Sequence, residues 1–143
     1  MIGNHHALAN FAAAALLAVA YGGAAEATAA GPPPAPSYTA AQAEQGATAF
    51  ENDCAQCHGA NLEGYSGPAL TGAAFANAYG SLSALLGFIS QNMPFDSPGS
   101  LSHDDYVAIV AFILSRNGAA PGATPLTFQA AMASKTPIWK SGQ

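Results

Sequence analysis

The chain is 143 residues long, and half of its residues are hydrophobic while only 8% are charged. Three basic residues stand against eight acidic ones, which gives a formal net charge of −5. This balance argues against nucleic-acid binding, because phosphate contacts require clustered Lys and Arg side chains. The sequence has no long internal repeat. A chain of this length is expected to form one domain with a modest hydrophobic core.

The N-terminal segment has the features of a secretory signal peptide. Phe11 to Ala20 form a short apolar run, and A-x-A cleavage candidates follow at positions 18–20, 25–27 and 27–29. An uncleaved membrane anchor is the alternative, but the run is shorter than the ~20 apolar residues of a membrane span. We therefore predict a signal peptide over residues 1–30, and a periplasmic mature chain without a transmembrane span.

Three further segments follow the predicted signal peptide. Residues 31–38 are proline-rich, a composition that resists helix and sheet, and are predicted to be an extended leader. Residues 39–118 are predicted to be the folded domain, and residues 119–143 a C-terminal extension. This extension contains Trp139, the only tryptophan. It could grip a partner protein or pack as a strap on its own domain.

The first predicted helix begins at Thr39, where the N-cap residue and Gln42 match the capping-box pattern. It extends to about Asn52, directly before the first cysteine. A second apolar pattern of helical spacing follows Ser81 and ends before Met93.

The third predicted helix has the strongest signals at its two ends. Ser102 is its N-cap and Asp105 completes a capping box, while Asn117 and Gly118 form a pair suited to a left-handed C-cap. Glycine-rich segments connect the three helices, and no alternating strand pattern of useful length is found. The predicted fold is therefore all-α, with short helices and loops around a bound cofactor.

That cofactor is indicated by the five residues from Cys54 to His58, which form the C-x-x-C-H pattern of c-type haem attachment. Cys54 and Cys57 can each form a thioether bond to one vinyl group, and His58 can then bind the iron. A redox dithiol would be expected near a βαβ pattern, and a structural zinc site needs four ligands. Because these are the only two cysteines, we predict one covalently attached haem c.

The second axial ligand of the iron is predicted to be Met93. It follows the second helix, and a thioether is a soft ligand that favours ferrous iron. Met132 in the extension is the main alternative. Packing in the core is a further possibility for any methionine. His103 directly follows an N-cap and is expected to be a solvated residue of the first helical turn.

These motifs, in this order, resemble the monohaem class I cytochromes c over about residues 40–118. The resemblance is carried by Cys54–His58, Gly67–Leu70, Asn92–Pro94 and the last predicted helix. It implies that the carbonyl group of Pro68 accepts the Nδ1–H of the haem-ligating histidine. It also implies that the terminal helices cross through a glycine and aromatic residues, which correspond to Gly46, Phe50 and Tyr106.

A narrower likeness concerns the loop Asn92–Ser102 and the later Asn117–Gly118 pair. Both are similar to cytochromes that accept electrons from quinoprotein (PQQ) alcohol or sugar dehydrogenases. The resemblance implies an electron-transfer protein of the respiratory chain rather than an enzyme. Its redox partners would be a dehydrogenase on one side and an oxidase or another cytochrome on the other.

Two alternative functions belong to other classes. The chain could be a permanently bound cytochrome subunit of a dehydrogenase or respiratory complex. It could also be a haem sensor or peroxidase that releases Met93 to bind a small ligand, although the sequence has no obvious distal His–Arg pair.

Overall fold

The computed structural model describes residues 37–138. The predicted signal peptide, most of the predicted leader, and Trp139 lie outside these residues, so the predictions made for them are not addressed by the fold. The described residues form six helices: α1 (Ala40–Asp53), α2 (Ala55–His58), α3 (Gly72–Tyr79), α4 (Leu82–Asn92), α5 (His103–Arg116) and α6 (Phe128–Ala133). Within residues 37–138 the only β-type pairing is one isolated bridge, between Ser81 and Pro137. The predicted all-α fold is confirmed.

The three predicted helices are present as α1, α4 and α5. The capping box of α1 is complete, because Gln42 N–H donates to Thr39 Oγ1 and Gln42 Oε1 accepts from Thr39 N–H, both at 3.2 Å. At the start of α5, Ser102 accepts from the Asp105 N–H at 3.1 Å. The Asp105 carboxylate, however, accepts from the Ser102 hydroxyl and not from its backbone N–H. The predicted capping box at Ser102 is therefore only half formed.

Helices α1 and α5 cross in close contact and form the centre of the core. A Cβ atom on Gly46 would lie 1.8 Å from the carbonyl oxygen of Ala108, so the two backbones touch at this point. Next to it the rings of Phe50 and Phe112 pack with centroids 5.2 Å apart. The aromatic partner in the crossing is thus Phe112, and the prediction of Tyr106 for this place was wrong.

Helix α4 and the short helix α6 complete the core. The largest of the fully buried side chains come from α1, the loop after α2, α4 and α5: Phe50, Leu62, Leu85, Leu86, Tyr106, Val107, Ile109, Val110 and Ile113. Among residues 37–138, no helix has the length and hydrophobicity needed to cross a membrane.

The described part of the C-terminal extension, residues 119–138, packs on the domain that precedes it, and we call it the C-terminal strap. Its side chains Leu126, Ala131 and Ile138 are buried. The side-chain amide of Gln42 forms two hydrogen bonds with the backbone of Leu126, at 2.7 and 2.8 Å. Farther on, Leu82 N–H donates to the strap at the carbonyl of Thr136, at 3.0 Å. The sequence analysis left open whether this extension grips a partner protein or packs on its own domain. Its described residues pack on their own domain.

We expect Gly46→Ala to lower the free energy of unfolding by about 3 kcal/mol, because the added methyl group has no space against the backbone of α5. Gly87→Ala in α4 is the matched control, since a Cβ there would lie 3.7 Å from Met132 Cε, an ordinary contact. It is expected to be neutral, or stabilising by up to about 1 kcal/mol. Denaturant unfolding of both variants tests this, and equal losses would show that the crossing tolerates a side chain.

Candidate functional site

Helix α1 leads directly into a helical turn that carries both cysteines and the histidine. Cys54 ends α1, and its N–H donates to the carbonyl of Phe50 at 2.9 Å. The N–H groups of Cys57 and His58 both donate to the carbonyl of Cys54, at 3.1 and 3.0 Å. Side chains three and four residues apart on a helical turn share one face. The turn therefore presents two sulfur atoms and one imidazole on the same side.

The imidazole of His58 is held by a hydrogen bond to the backbone. His58 is buried, and its Nδ1 lies 2.8 Å from the carbonyl oxygen of Pro68. Because a carbonyl oxygen can only accept, Nδ1 carries a proton, and in the neutral ring Nε2 then has the lone pair that can bind a metal. Such a bond also fixes the ring plane and makes the metal-binding nitrogen more basic. This is the contact that the resemblance implies; the roles of His58 and Pro68 toward haem stay predictions.

The loop 59–71 brings Pro68 to this position by folding back over the cysteine turn. Gly64 N–H donates to the carbonyl of His58 at 2.7 Å, and Gly67 N–H donates to the carbonyl of Cys57 at 2.9 Å. A Cβ atom on Gly67 would lie 2.8 Å from Cε1 of His58. Only glycine fits at this position, because a side chain would collide with the imidazole ring. No sequence pattern indicated this steric role.

The environment of Cys54 favours an uncharged sulfur atom. Both cysteines are free thiols, with Cys54 half-buried and Cys57 exposed. Burial, together with the nearby Asp53 and Cys57, raises the pKa of Cys54 to about 12. Redox dithiols and zinc ligands act as thiolates, whose formation requires a lowered pKa. The Cys54 thiol therefore fits conversion to a neutral thioether better than either alternative.

Met93 ends α4, and its half-buried side chain packs against the hydrophobic core. Its carbonyl oxygen accepts a hydrogen bond from the hydroxyl of Tyr106 at 2.7 Å. Tyr106 is the aromatic residue that was expected in the helix crossing. Its hydroxyl instead reaches the segment that carries the predicted axial ligand, a role that no sequence pattern indicated.

The other two candidate ligands lie on the strap side of the molecule. Met132 is partly exposed on α6, and its sulfur is 4.0 Å from the position of a Cβ on Gly87 of α4. His103 is exposed, as predicted, and its ring stacks on Phe128 with centroids 3.8 Å apart. This stacking was not predicted, because Phe128 belongs to a helix that the sequence analysis did not identify.

Asn117 was predicted only as part of a helix C-cap, and sequence reasoning missed a second role of its side chain. It ends α5, and the following Gly118 has a φ of +83°, as expected for a left-handed C-cap. In addition, its side-chain amide donates to the carbonyl of Leu70 at 2.9 Å and to that of Ile113 at 2.8 Å. Asn117 thereby ties the end of α5 to the loop that contains Pro68.

Comparison with known proteins gives two matches. The family model for cytochrome c oxidase, cbb3-type, subunit III matches residues 41–113. Among solved structures, a chain of the sulfane dehydrogenase SoxCD from Paracoccus pantotrophus is 30% identical with a TM-score of 0.51. That alignment covers 64% of this chain and 51% of the other, so the present chain spans about half the length of that relative. No curated protein matches the chain.

Replacing both thiols, in Cys54→Ala with Cys57→Ala, is expected to abolish covalent haem and to lower the stability of the domain, because a haem provides apolar surface for a small core. Haem staining of a denaturing gel after expression with the haem-attachment machinery measures the first effect. Met132→Ala, which leaves both thiols intact, is expected to stain like the wild type. A stained band from the double variant would contradict covalent attachment through these thiols.

Proposed function

The chain is a monohaem class I cytochrome c of the family described as cytochrome c oxidase, cbb3-type, subunit III, and we propose that it is a periplasmic one-electron carrier. The family implies haem c binding and electron transfer. In this proposal the chain takes electrons from a dehydrogenase and delivers them to a downstream cytochrome or an oxidase. Export to the periplasm is proposed from the apolar N-terminal run and its A-x-A positions.

The observation that carries the proposal is the arrangement around His58. The turn that follows α1 puts the two thiols and the imidazole on one side, and Pro68 holds the imidazole with Nε2 left to bind a metal. Cys54 and Cys57 would hold the haem through thioether bonds, and His58 with Met93 would be its axial ligands. The bound haem supplies one-electron Fe(III)/Fe(II) chemistry.

The protein's own contribution is to hold these groups in place and to keep water away from them. The Pro68 carbonyl fixes the imidazole plane and would hold the ring in one orientation as a haem ligand. Burial of His58 excludes solvent on that side. A soft thioether from Met93 favours the ferrous state and so raises the reduction potential. Fixed ligands of this kind suit rapid and reversible electron transfer.

A partner would dock on the exposed aromatic residues of the two ligand-bearing loops. Phe95, two residues after Met93, is 85% exposed, and Tyr65, three residues before Pro68, is 73% exposed. Aromatic residues are enriched at protein interfaces, and small interfaces suit transient redox encounters. With 8% charged residues, the surface has little capacity for electrostatic steering.

A second candidate function is that of a cytochrome subunit fixed in a dehydrogenase. It is favoured by the likeness to a chain of an enzyme, the sulfane dehydrogenase SoxCD. The present chain spans about half the length of that chain. A sulfur-oxidising enzyme would then be the partner, in place of the quinoprotein dehydrogenase suggested by the loop Asn92–Ser102. Size-exclusion chromatography of protein purified from its host distinguishes the two functions. A free carrier elutes at the size of the single chain, and a fixed subunit elutes with its enzyme.

A third function, as a haem sensor or peroxidase, has less support because the segment carrying Met93 is anchored to α5 by Tyr106. Binding of carbon monoxide to the ferrous form tests it. A carrier with Met93 in place binds the gas slowly and weakly, whereas a sensor binds it readily.

Met93→Ala is expected to remove the far-red thioether-to-iron absorption band of the oxidised protein. We also expect it to lower the reduction potential by on the order of 0.1 V, because the soft axial ligand is lost. Met132→Ala is the matched control and is expected to leave both properties unchanged. Optical spectra and a redox titration measure them. Loss of the band in Met132→Ala, with retention in Met93→Ala, would reverse the ligand assignment.

Phe95→Glu is expected to slow electron transfer to the physiological partner by about tenfold, because a charge would be buried in an apolar contact. The haem spectrum is expected to stay unchanged. Gln45→Glu adds the same charge on the exposed surface of α1 and is expected to have little effect. The wild-type rate should fall by less than about threefold between low and high salt, since steering is weak. A steep salt dependence, or an unaffected Phe95→Glu rate, would place the contact elsewhere.

A further inference from the structure

The segment that follows α4 is hydrogen-bonded near both ends to the hydroxyl group of one tyrosine, Tyr106. We call residues 93–102 the Met93 loop. At its start the carbonyl of Met93 accepts from the Tyr106 hydroxyl at 2.7 Å, and near its end Leu101 N–H donates to the same oxygen at 3.4 Å. The Tyr106 side chain is 2% exposed. A single buried hydroxyl thus serves as donor to one end of the loop and as acceptor for the other.

The remaining described backbone bonds of Met93 do not connect it to α5. Its N–H donates to Ile89 within α4 at 2.9 Å, and its carbonyl also accepts from Gly99 at 3.3 Å, a residue of the loop itself. A bond within the loop moves with the loop and does not resist its displacement. The Tyr106 bond connects the loop to a helix that is itself held against the backbone of α1 at Gly46.

We infer that Tyr106 is a positioning residue that keeps the Met93 loop closed and thereby determines how often Met93 leaves the iron. This inference rests on the proposed function, in which Met93 is the axial ligand. An external ligand must compete with Met93, so its apparent affinity is proportional to the fraction of molecules in which the loop is open. Removing a hydrogen bond that exists only in the closed loop increases that fraction.

The test is imidazole binding to the oxidised, haem-loaded protein. Tyr106→Phe keeps the ring and deletes only the hydroxyl. Loss of its bond to Met93 and of the longer bond from Leu101 is expected to raise the apparent affinity for imidazole by about three- to tenfold. Without imidazole, the far-red thioether band is expected to persist in this variant, because the loop is still closed most of the time. Loss of this band is therefore also the signal that reports the displacement of Met93 by imidazole.

Tyr38→Phe is the matched control. Tyr38 is also 2% exposed, and its hydroxyl donates to a backbone carbonyl, that of Ala119 in the strap. Deleting it removes the same type of bond at a place that does not contact the Met93 loop. It is expected to lower global stability by an amount similar to Tyr106→Phe while leaving the imidazole affinity within about twofold of the wild type.

Each outcome has a separate meaning. Unchanged affinity in Tyr106→Phe, with the far-red band present in the wild type, would overturn the inference and leave Met93 ligation intact. An equal rise in both variants would also overturn it, because general destabilisation would then be the cause. A wild-type protein without the band would overturn Met93 ligation itself, and the positioning role with it. A rise restricted to Tyr106→Phe supports the inference.

Discussion

Helices α1 and α5 can cross as they do only because Gly46 has no side chain, since the carbonyl oxygen of Ala108 occupies the space where a Cβ would lie. The contact joins backbone to backbone, with no flexible side chain between the helices, so it fixes their relative position tightly. Helix α1 ends at Cys54, where the haem-attachment motif begins. Every group of the candidate site that is anchored on α5 is therefore positioned relative to that motif through this one crossing.

Helix α5 then acts as a rigid spacer between the two halves of the site. Near its start Tyr106 holds the carbonyl of Met93, and at its end Asn117 holds the carbonyl of Leu70, two residues after Pro68. The two anchors are about three helical turns apart along the helix. Both are neutral donors bonded to backbone carbonyls. Salt screening does not change such bonds, so the spacing of the two ligand loops is expected to stay constant as the ionic strength varies.

The features that the sequence predicted well are those decided by near neighbours. The helix start at Thr39 and the spacing within the C-x-x-C-H motif depend on residues within four positions of one another. The helix crossing depends instead on residues that are far apart in the sequence. Eight side chains of α5 are buried, on almost all sides of the helix, so the residue facing Phe50 follows from the crossing angle and not from periodicity. The resemblance, mapped onto this helix without the crossing angle, therefore assigned Tyr106 to the place where Phe112 lies. Helix α6 is short, and Thr127 caps it without a capping box, so its local signal was too weak.

The strap has a consequence for the order of folding. Tyr38 and Gln42 at the start of the domain are bonded to Ala119 and Leu126, residues more than 80 positions later. Helix α1 is therefore without its partners until nearly the whole domain has been synthesised, since α5 also comes late. Short helices are marginal on their own. During that interval the C-x-x-C-H segment lies on an open chain, and both thiols stay accessible to whatever attaches the haem. Late closure by the C-terminal residues then completes the fold around this segment, in which His58 is buried.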